Sequence, residues 1–425
     1  MNAPHRLHRV RPFDRAAGAG IDRRRFLTGG AATVAAITVL GRGVEAAAGD
    51  AAPTATDRPP STGRLVVLFL RGGMDGLSAV VPLLDSAAYR AARPGIAVPD
   101  TAALDLDGRF GLHPGLAPLH ELHRSGELAV LHAVGNGTDS RSHFAAQAEM
   151  ELGGVAGAAE GWLTRLLGAT RSPIDAPIRA VALSSTTPTS LLGSPSSVAT
   201  AALAGGGRGG TAGLLAGEAP ATALRMLYQG GGDEPVAGRA LAAVDQLAVL
   251  SEGTPAGDGG LDAKLADAAA LLRADVGVEV VTVGSGGWDL HNELGTATEG
   301  AMRSLLDDLG AALHTFWTAL DGGPGAPVDV VVVSEFGRRV AENGSGGVDH
   351  GSANALFVLG RSLTGGGRVL ADWPGLAADQ LDRGDLRATI DHRSVLAELS
   401  ARFGVTDVAA AGLFPGFAPQ PVGLA

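Results

Sequence analysis

Cysteine is absent from this chain of 425 residues. Its absence excludes disulfide bonds, and it also excludes thiolate ligands to a metal. Any metal ion must therefore be bound by imidazole, carboxylate, hydroxyl or water ligands. Nucleotide-binding and haem-attachment motifs are lacking as well, so no motif supports a redox function.

Long apolar runs and an excess of positive charge are also lacking. No run is long enough for a comfortable membrane span, so we expect no stable span in the mature protein. The formal net charge is −11, and residues 1–48 hold eight arginines against three acidic residues, a net charge of +5. Removal of that segment changes the net charge from −11 to −16. A protein this acidic does not suit a nucleic-acid backbone, and we expect no nucleic-acid partner.

The N-terminus has the form of a twin-arginine export signal. Residues 22–27 read Asp-Arg-Arg-Arg-Phe-Leu, residues 29–40 are mildly apolar, and residues 46–48 are three alanines that suit cleavage. The alternative is a basic arm with a short membrane anchor. We expect residues 1–48 to be a signal peptide, the twin-arginine translocase to be a partner, and the mature protein to be periplasmic, on the cell surface or extracellular. Because that route carries folded proteins, a metal or cofactor would be loaded before export.

Apolar segments that alternate with helical ones predict the fold. Residues 330–333 are four valines, and such a run is typical of a buried parallel strand. Strands are predicted at 64–70, 127–134, 177–184, 278–283, 328–333 and 355–359, and helices at 111–126, 143–152, 296–320 and 391–403. We therefore expect an α/β fold with a mainly parallel central sheet flanked by helices. After a linker at 49–62, residues 63–425 are expected to form one domain, with a mobile insertion rich in Gly, Ala, Ser and Thr at about 185–217.

Acidic and imidazole side chains follow several of the predicted strands. In open α/β sheets, ligands bind at the carboxyl ends of the strands, so these side chains are candidates for one shared site. Carboxylates and imidazoles without thiols suit a divalent metal such as Zn, Mn, Mg or Ca, and each residue alone can also be an ordinary loop residue. The candidate metal ligands are Asp75, Asp289, His291, Glu335, Asp349 and His350.

Ser142 is the candidate nucleophile. It precedes a predicted helix, where free backbone N–H groups and the helix dipole favour an anion, although a plain N-cap serine fits the same position. Ser140 and Thr138 compete with it in the same loop. Arg141 and Arg338 are candidates to hold the oxygens of a tetrahedral anion. His143 is either a ligand or an ordinary residue of the first helical turn.

These motifs together resemble the DUF1501 proteins, a family of exported bacterial proteins. The matching segments span most of the mature chain in order: Leu-Arg-Gly-Gly-Met-Asp-Gly-Leu at 70–77, Arg-Ser-His-Phe at 141–144, Gly-Trp-Asp-Leu-His at 287–291, Ser-Glu-Phe-Gly-Arg at 334–338, Asp-His-Gly at 349–351 and Asp-His-Arg-Ser-Val at 391–395. That family in turn looks like a distant branch of the alkaline phosphatase and sulfatase superfamily. The resemblance implies an alkaline phosphatase-like core and a binuclear metal site.

The chain departs from the superfamily pattern in ways that bear on activity. Asp289 and His291 are closer in sequence than the usual pair, and Phe336 stands where an imidazole is expected. Without cysteine, a formylglycine made from cysteine is excluded, which disfavours a sulfatase of the common type. One metal ion instead of two, or a degenerate site used for binding, is compatible with these departures.

The sequence leads to two hypotheses about function. The first is an exported metal-dependent hydrolase of phosphate or sulfate esters, which transfers the phosphoryl or sulfuryl group to a serine or to metal-activated water. Its substrate would be a small-molecule or glycan ester. The second is a non-catalytic secreted binding protein on a degenerate alkaline phosphatase-like scaffold.

Overall fold

The described part of the chain holds most of the predicted elements. A computed structural model describes residues 58–138, 140–200, 242, 246, 259–323 and 325–425. The predicted signal peptide, the linker up to residue 57 and residues 201–217 of the predicted insertion lie outside the described residues. Among the residues that the structure describes, no helix is both long and apolar enough to cross a membrane.

Twelve strands are described, and nine of them form one central sheet. The strands are β1 (Arg64–Leu70), β2 (Val80–Val81), β3 (Leu104–Asp105), β4 (Gly111–Leu112), β5 (Leu128–Gly135), β6 (Ala180–Leu183), β7 (Ser197–Thr200), β8 (Val280–Ser285), β9 (Val328–Val333), β10 (Asn354–Gly360), β11 (Val369–Leu370) and β12 (Ile390–Asp391). Strand β7 lies within the segment for which the sequence predicts an insertion. It pairs with β6 at the edge of the sheet.

The central sheet is mostly parallel. Its strand order is β11-β5-β10-β9-β1-β8-β6-β7, with β12 also paired to β5. Strand β1 pairs in parallel with both β8 and β9, and β10 alone runs antiparallel to its neighbours β9 and β5. The carboxyl ends of β1, β5, β8 and β9 therefore meet at one edge, where β10 begins. The remaining strands, β2, β4 and β3, form a small antiparallel sheet.

Eight α-helices are described around these sheets. They are α1 (Gly76–Ala79), α2 (Ser86–Ala92), α3 (Ala117–Arg124), α4 (His143–Glu151), α5 (Trp162–Ala169), α6 (Leu261–Arg273), α7 (Ala301–Ala319) and α8 (His392–Phe403). The expectation of an α/β fold with a mainly parallel sheet and flanking helices is confirmed. The predicted helix over residues 111–126 is shorter than expected. Residues 111–112 form β4, and α3 begins only after a turn at Pro114–Leu116.

The central sheet has an apolar core on each face. Alternate residues of β1 point in opposite directions, as a strand requires. Val66 and Leu68 join a core with α6 and α7, whereas Leu65 and Val67 join a core with α5 and α8. Burial on both faces explains why the strands read as continuous apolar runs. It also leaves the edge at their carboxyl ends as the place where polar side chains gather.

Candidate metal centre

Four chain segments that are distant in sequence meet at the carboxyl edge of the sheet. Asp289 and His291 follow β8, and His350 lies four residues before β10. His143 is the first residue of α4, which follows β5. The imidazoles of His143, His291 and His350, together with the carboxylate of Asp289, form what we call the imidazole cluster.

The Nε2 atoms of the three histidines lie close together. The Nε2 atom of His350 lies 3.0 Å from Nε2 of His143 and 2.9 Å from Nε2 of His291. The Asp289 carboxylate completes the group: its Oδ1 is 3.0 Å from Nε2 of His291 and 3.3 Å from Nε2 of His350, and its Oδ2 is 3.4 Å from Nε2 of His143. Ligand atoms of His143, Asp289 and His350 all lie within 4.8 Å of one another and could hold one metal ion, and His291 adjoins this group at His350 and Asp289.

The other ring nitrogen of each histidine has an acceptor as its partner. Nδ1 of His350 lies 2.8 Å from the backbone carbonyl of Arg141, and a carbonyl can only accept. Nδ1 of His143 lies 2.7 Å from Glu335 Oε1, and Nδ1 of His291 lies 3.2 Å from Asp349 Oδ1. Each Nδ1 therefore carries the proton and donates. In the neutral imidazoles, each Nε2 then has a lone pair, and the lone pair of His291 lies 3.5 Å from Arg338 Nη1, which can donate to it.

These lone pairs cannot satisfy one another. His350 Nε2 has a single lone pair, so one added proton could turn only one of its two short nitrogen contacts into a hydrogen bond. Burial, as the largest effect, and the nearby charge of Arg338 lower the pKa of His350, against the opposing hydrogen bond to Arg141. A cation at the imidazole cluster would explain both contacts. In tetrahedral zinc sites with nitrogens about 2.0–2.1 Å from the metal, ligand nitrogens lie about 3.3 Å apart.

The Asp289 carboxylate is held by Arg338. Partial burial acts to raise the pKa of Asp289, but the hydrogen bond and charge of Arg338 outweigh it and bring the pKa to about 2. Arg338 itself is 2% exposed and donates from Nη2 to Asp289 over 2.6 Å, from Nε to Gly73 O over 2.6 Å and from Nη1 to Val348 O over 3.0 Å. The guanidinium thus directs most of its donors into the protein, and it meets the site at Asp289 and, over 3.5 Å from Nη1, at Nε2 of His291.

Glu335 lies behind His143 instead of within the imidazole cluster. Its Oε1 accepts hydrogen bonds from the backbone N–H of Gly72 (2.8 Å), from the amide of Gln147 (2.8 Å) and from His143. The side chain is fully buried, which acts to raise its pKa, but these donors, beginning with Gln147, hold the pKa below its ordinary value. Glu335 is therefore an ionised carboxylate that fixes the proton of His143 on Nδ1.

Asp349 has the same relation to His291. Its Oδ1 accepts from Nδ1 of His291 and, over 3.1 Å, from the amide of Asn343. The hydrogen bonds of Asn343 and His291 lower the pKa of Asp349. With Asp289 and Glu335 it makes three carboxylates against the single guanidinium of Arg338, so the centre has a net charge of two negative units when the imidazoles are neutral. One divalent cation would balance that charge.

The structure does not bring Asp75 into the cluster. Asp75 is 2% exposed and forms a buried ion pair with Arg93, whose Nη2 lies 2.9 Å from Asp75 Oδ1. Burial acts to raise the pKa of Asp75, but the charge and hydrogen bonds of Arg93 reverse the effect and lower it. The charge of this carboxylate is therefore neutralised by a guanidinium.

The two residues before His143 reach the site in different ways. The backbone carbonyl of Arg141 fixes His350, whereas its guanidinium forms an ion pair with Asp385. Ser142 is exposed and occupies the N-cap position of α4, but its hydroxyl makes no capping hydrogen bond. It adjoins His143 in sequence, and its hydroxyl is accessible to solvent.

The sequence left His143 open as either a ligand or a first-turn residue, and it gave no role to Gln147. These two residues lie four residues apart in α4, as do Gln147 and Glu151, so all three share one helix face. That spacing of polar residues is the signal that could have found them. Phe336 packs against the cluster, with its ring centroid 4.8 Å from those of His143 and His350. At position 336, where the superfamily pattern has an imidazole, this chain has an apolar ring.

Comparison with known proteins agrees with the resemblance seen in the motifs. Residues 260–403 match the family described as "Protein of unknown function (DUF1501)". The matched stretch includes five residues of the centre and Arg338: Asp289, His291, Glu335, Asp349 and His350. His143 lies outside it. No curated protein matches the chain, and no solved structure matches it.

Proposed function

We propose that the protein is a metal-dependent hydrolase that uses one divalent cation at the imidazole cluster. The observation that carries the proposal is the hydrogen bonding of the three histidines. Each Nδ1–H has a carbonyl or carboxylate acceptor, which leaves each Nε2 without a proton, and the Nε2 atoms of His143 and His350 lie with Asp289 within reach of one ion. Metal-binding histidines characteristically donate their other ring N–H in this way.

Zinc suits the proposed donor set best. Three imidazoles and one carboxylate favour zinc or a related transition metal, whereas magnesium and calcium prefer oxygen ligands. The net charge of two negative units in the protein matches a divalent ion. Asp75, one of the metal ligands expected from the sequence, is instead paired with Arg93, so we propose one metal ion instead of two.

A bound zinc ion would act as a Lewis acid and would lower the pKa of a coordinated water. The residues of the chain hold that centre in place: Glu335 and Asp349 orient imidazoles, and Arg338 orients Asp289. The Phe336 ring keeps one side of the cluster apolar, which strengthens the electrostatic interactions there. In the described structure, the Ser142 hydroxyl makes no hydrogen bond to the cluster. We therefore favour water over Ser142 as the attacking group.

The proposed substrate class rests on the resemblance to the alkaline phosphatase and sulfatase superfamily. A small-molecule or glycan ester of phosphate or sulfate would bring an anionic oxygen to the cation. We also propose export through the twin-arginine pathway, with the metal loaded before export. Replacing Arg23 and Arg24 by lysine would then leave the precursor uncleaved inside the cell, as an immunoblot of cell fractions can measure.

The proposal is tested by metal content and turnover in one set of variants. Protein purified without added metal is analysed by mass spectrometry for bound metal and assayed with p-nitrophenyl phosphate, bis-p-nitrophenyl phosphate and p-nitrophenyl sulfate. We expect about one zinc per chain and turnover of at least one ester, both lost in His350→Ala and retained in the control His120→Ala, a partly exposed histidine outside the cluster. No metal in the wild-type protein after zinc supplementation would overturn the proposal.

A non-catalytic binding protein on the same scaffold is the second candidate. It is favoured by the apolar Phe336 beside the cluster and by the engagement of Asp75 with Arg93. It predicts stoichiometric metal without turnover of any ester in the panel.

Within the hydrolase proposal, Ser142→Ala distinguishes attack by water from attack by the serine. Turnover that survives this substitution indicates water as the nucleophile, and turnover that is abolished indicates the serine.

A further inference from the structure

A cavity of about 240 Å³ lies among strands β1, β6 and β8 and helices α4, α5 and α8. This volume is the share of about eight water molecules in the liquid. Its walls are mainly apolar and include Phe69, Trp162 and Leu183. None of the imidazole cluster's side chains is among the described residues that line it. The cavity is therefore distinct from the metal centre proposed above.

Two cationic groups lie at this cavity. Arg71 forms an ion pair with the buried Glu151, with 2.8 Å between Nη2 and Oε1, so its charge is compensated. Lys264 is the only lysine in the chain, and its ammonium donates to the carbonyl of Gly284 over 3.0 Å. Within the part of the chain that the structure describes, no carboxylate pairs with Lys264. The polar end of the cavity consequently has one uncompensated positive charge and N–H donors still available on the ammonium.

A buried imidazole also lines the cavity. His392 is 1% exposed, and neither of its ring nitrogens has a hydrogen-bond partner among the described residues. Its Nδ1 lies 3.4 Å from Asp391 Oδ1 without the geometry of a hydrogen bond. A second hollow of about 10 Å³, which His392 and Glu335 both line, has room for roughly one water. Burial lowers the pKa of His392 to about 4, so the ring is neutral and offers one donor and one acceptor.

We propose that this cavity binds an amphipathic monoanion, with its anionic head at Lys264 and Arg71 and its apolar body among Phe69, Trp162 and Leu183. The head is a carboxylate, sulfate monoester or similar anion. A body of about eight carbon atoms fits the volume. His392 provides a polar contact inside an otherwise apolar wall. The proposal stands independently of the metal centre, because none of the groups that carry it is a proposed metal ligand.

The single lysine allows a direct test. Reductive methylation with ¹³C-formaldehyde keeps the positive charge of Lys264 and gives it one dimethylammonium NMR signal, separate from that of the N-terminus. We expect octanoate and octyl sulfate to shift this signal saturably in the wild-type protein, with and without zinc. Octanol, which lacks the charge, and acetate, which lacks the chain, are expected to leave it in place.

Matched variants identify the charge that matters. Lys264→Gln removes the cation at the cavity, and Arg273→Gln removes an exposed cation from the same helix, α6. Because a charge-assisted hydrogen bond is lost, we expect the octanoate dissociation constant from calorimetry to rise about tenfold or more in Lys264→Gln and to stay unchanged in Arg273→Gln. The proposal is overturned if octanol binds as tightly as octanoate, if both variants weaken binding equally, or if no probe shifts the Lys264 signal.

Discussion

Replacement of Glu335 by glutamine isolates the electrostatic contribution of a residue that does not face the proposed cation. The new side chain keeps one oxygen to accept from Gly72, Gln147 and His143. Its amide N–H₂ takes the place of Oε2, 3.2 Å from the hydroxyl of Ser334. That hydroxyl donates its proton to Leu70 O, so its oxygen can accept from the new amide. The substitution therefore removes the negative charge and leaves the hydrogen bonds largely in place.

The expected result is weaker metal binding in a folded protein. Changes to groups that orient metal-binding histidines typically cost 10- to 100-fold in metal affinity, or about 1.4–2.7 kcal/mol. We expect zinc affinity, measured by competition with a chromophoric chelator, to fall in that range for Glu335→Gln. The control is Glu342→Gln, which removes a carboxylate that accepts from the backbone N–H groups of Gly95 and Ile96 outside the centre. Equal zinc affinity in Glu335→Gln and wild type, at similar melting temperatures, would show that the Glu335 charge does not act on the metal through His143.

Two further predictions concern stability. His132 is fully buried, with Nδ1 accepting from Ala133 N–H and Nε2 donating to Val80 O, and burial lowers its pKa to about 4. In the unfolded chain the histidine pKa is near 6.5, so the unfolded state takes up the proton first as the pH falls. The free energy of unfolding should therefore fall by about 3 kcal/mol between pH 6.5 and 4. In His132→Gln, urea unfolding should show a shallower pH dependence of stability; pH profiles identical to those of the wild type would contradict this. Arg93→Met leaves Asp75 as an uncompensated buried charge and should lower the free energy of unfolding, measured with urea, by about 3–5 kcal/mol. Adding Asp75→Asn should restore part of that stability. A double variant no more stable than the single one would show that the unpaired Asp75 charge is not the cause.

The central sheet was predictable because its strands are buried on both faces. The valine run in β9 gave the strand over residues 328–333 with its observed bounds. In the same way, the predicted strand over 64–70 coincides with β1. The segment over 111–126 was harder to predict, because its apolar residues fit both the period of a helix and that of a strand. There, Leu112 pairs with Val80 in the small sheet, and Pro114 begins a new turn.

The site could be predicted only in part. Residues at strand ends converge because parallel strands end at one edge, and this rule brought together Asp289, His291 and His350. It cannot tell which carboxylate faces the cation and which lies behind an imidazole, as Glu335 does. Nor can it show that Arg93, from a different element, reaches Asp75. The sequence left the role of His143 open, because one histidine in a helical turn has no distinguishing sequence context until its helix is placed against the sheet.

X-ray absorption at the zinc edge of zinc-loaded protein measures directly whether the imidazole cluster binds a metal ion. We expect about one zinc per chain with nitrogen and oxygen ligands at about 2.0–2.1 Å, and multiple scattering from three imidazoles. His291→Ala should reduce the imidazole contribution to two. A spectrum with fewer than two imidazoles in the wild-type protein, or zinc that washes away at equimolar concentration, would contradict it.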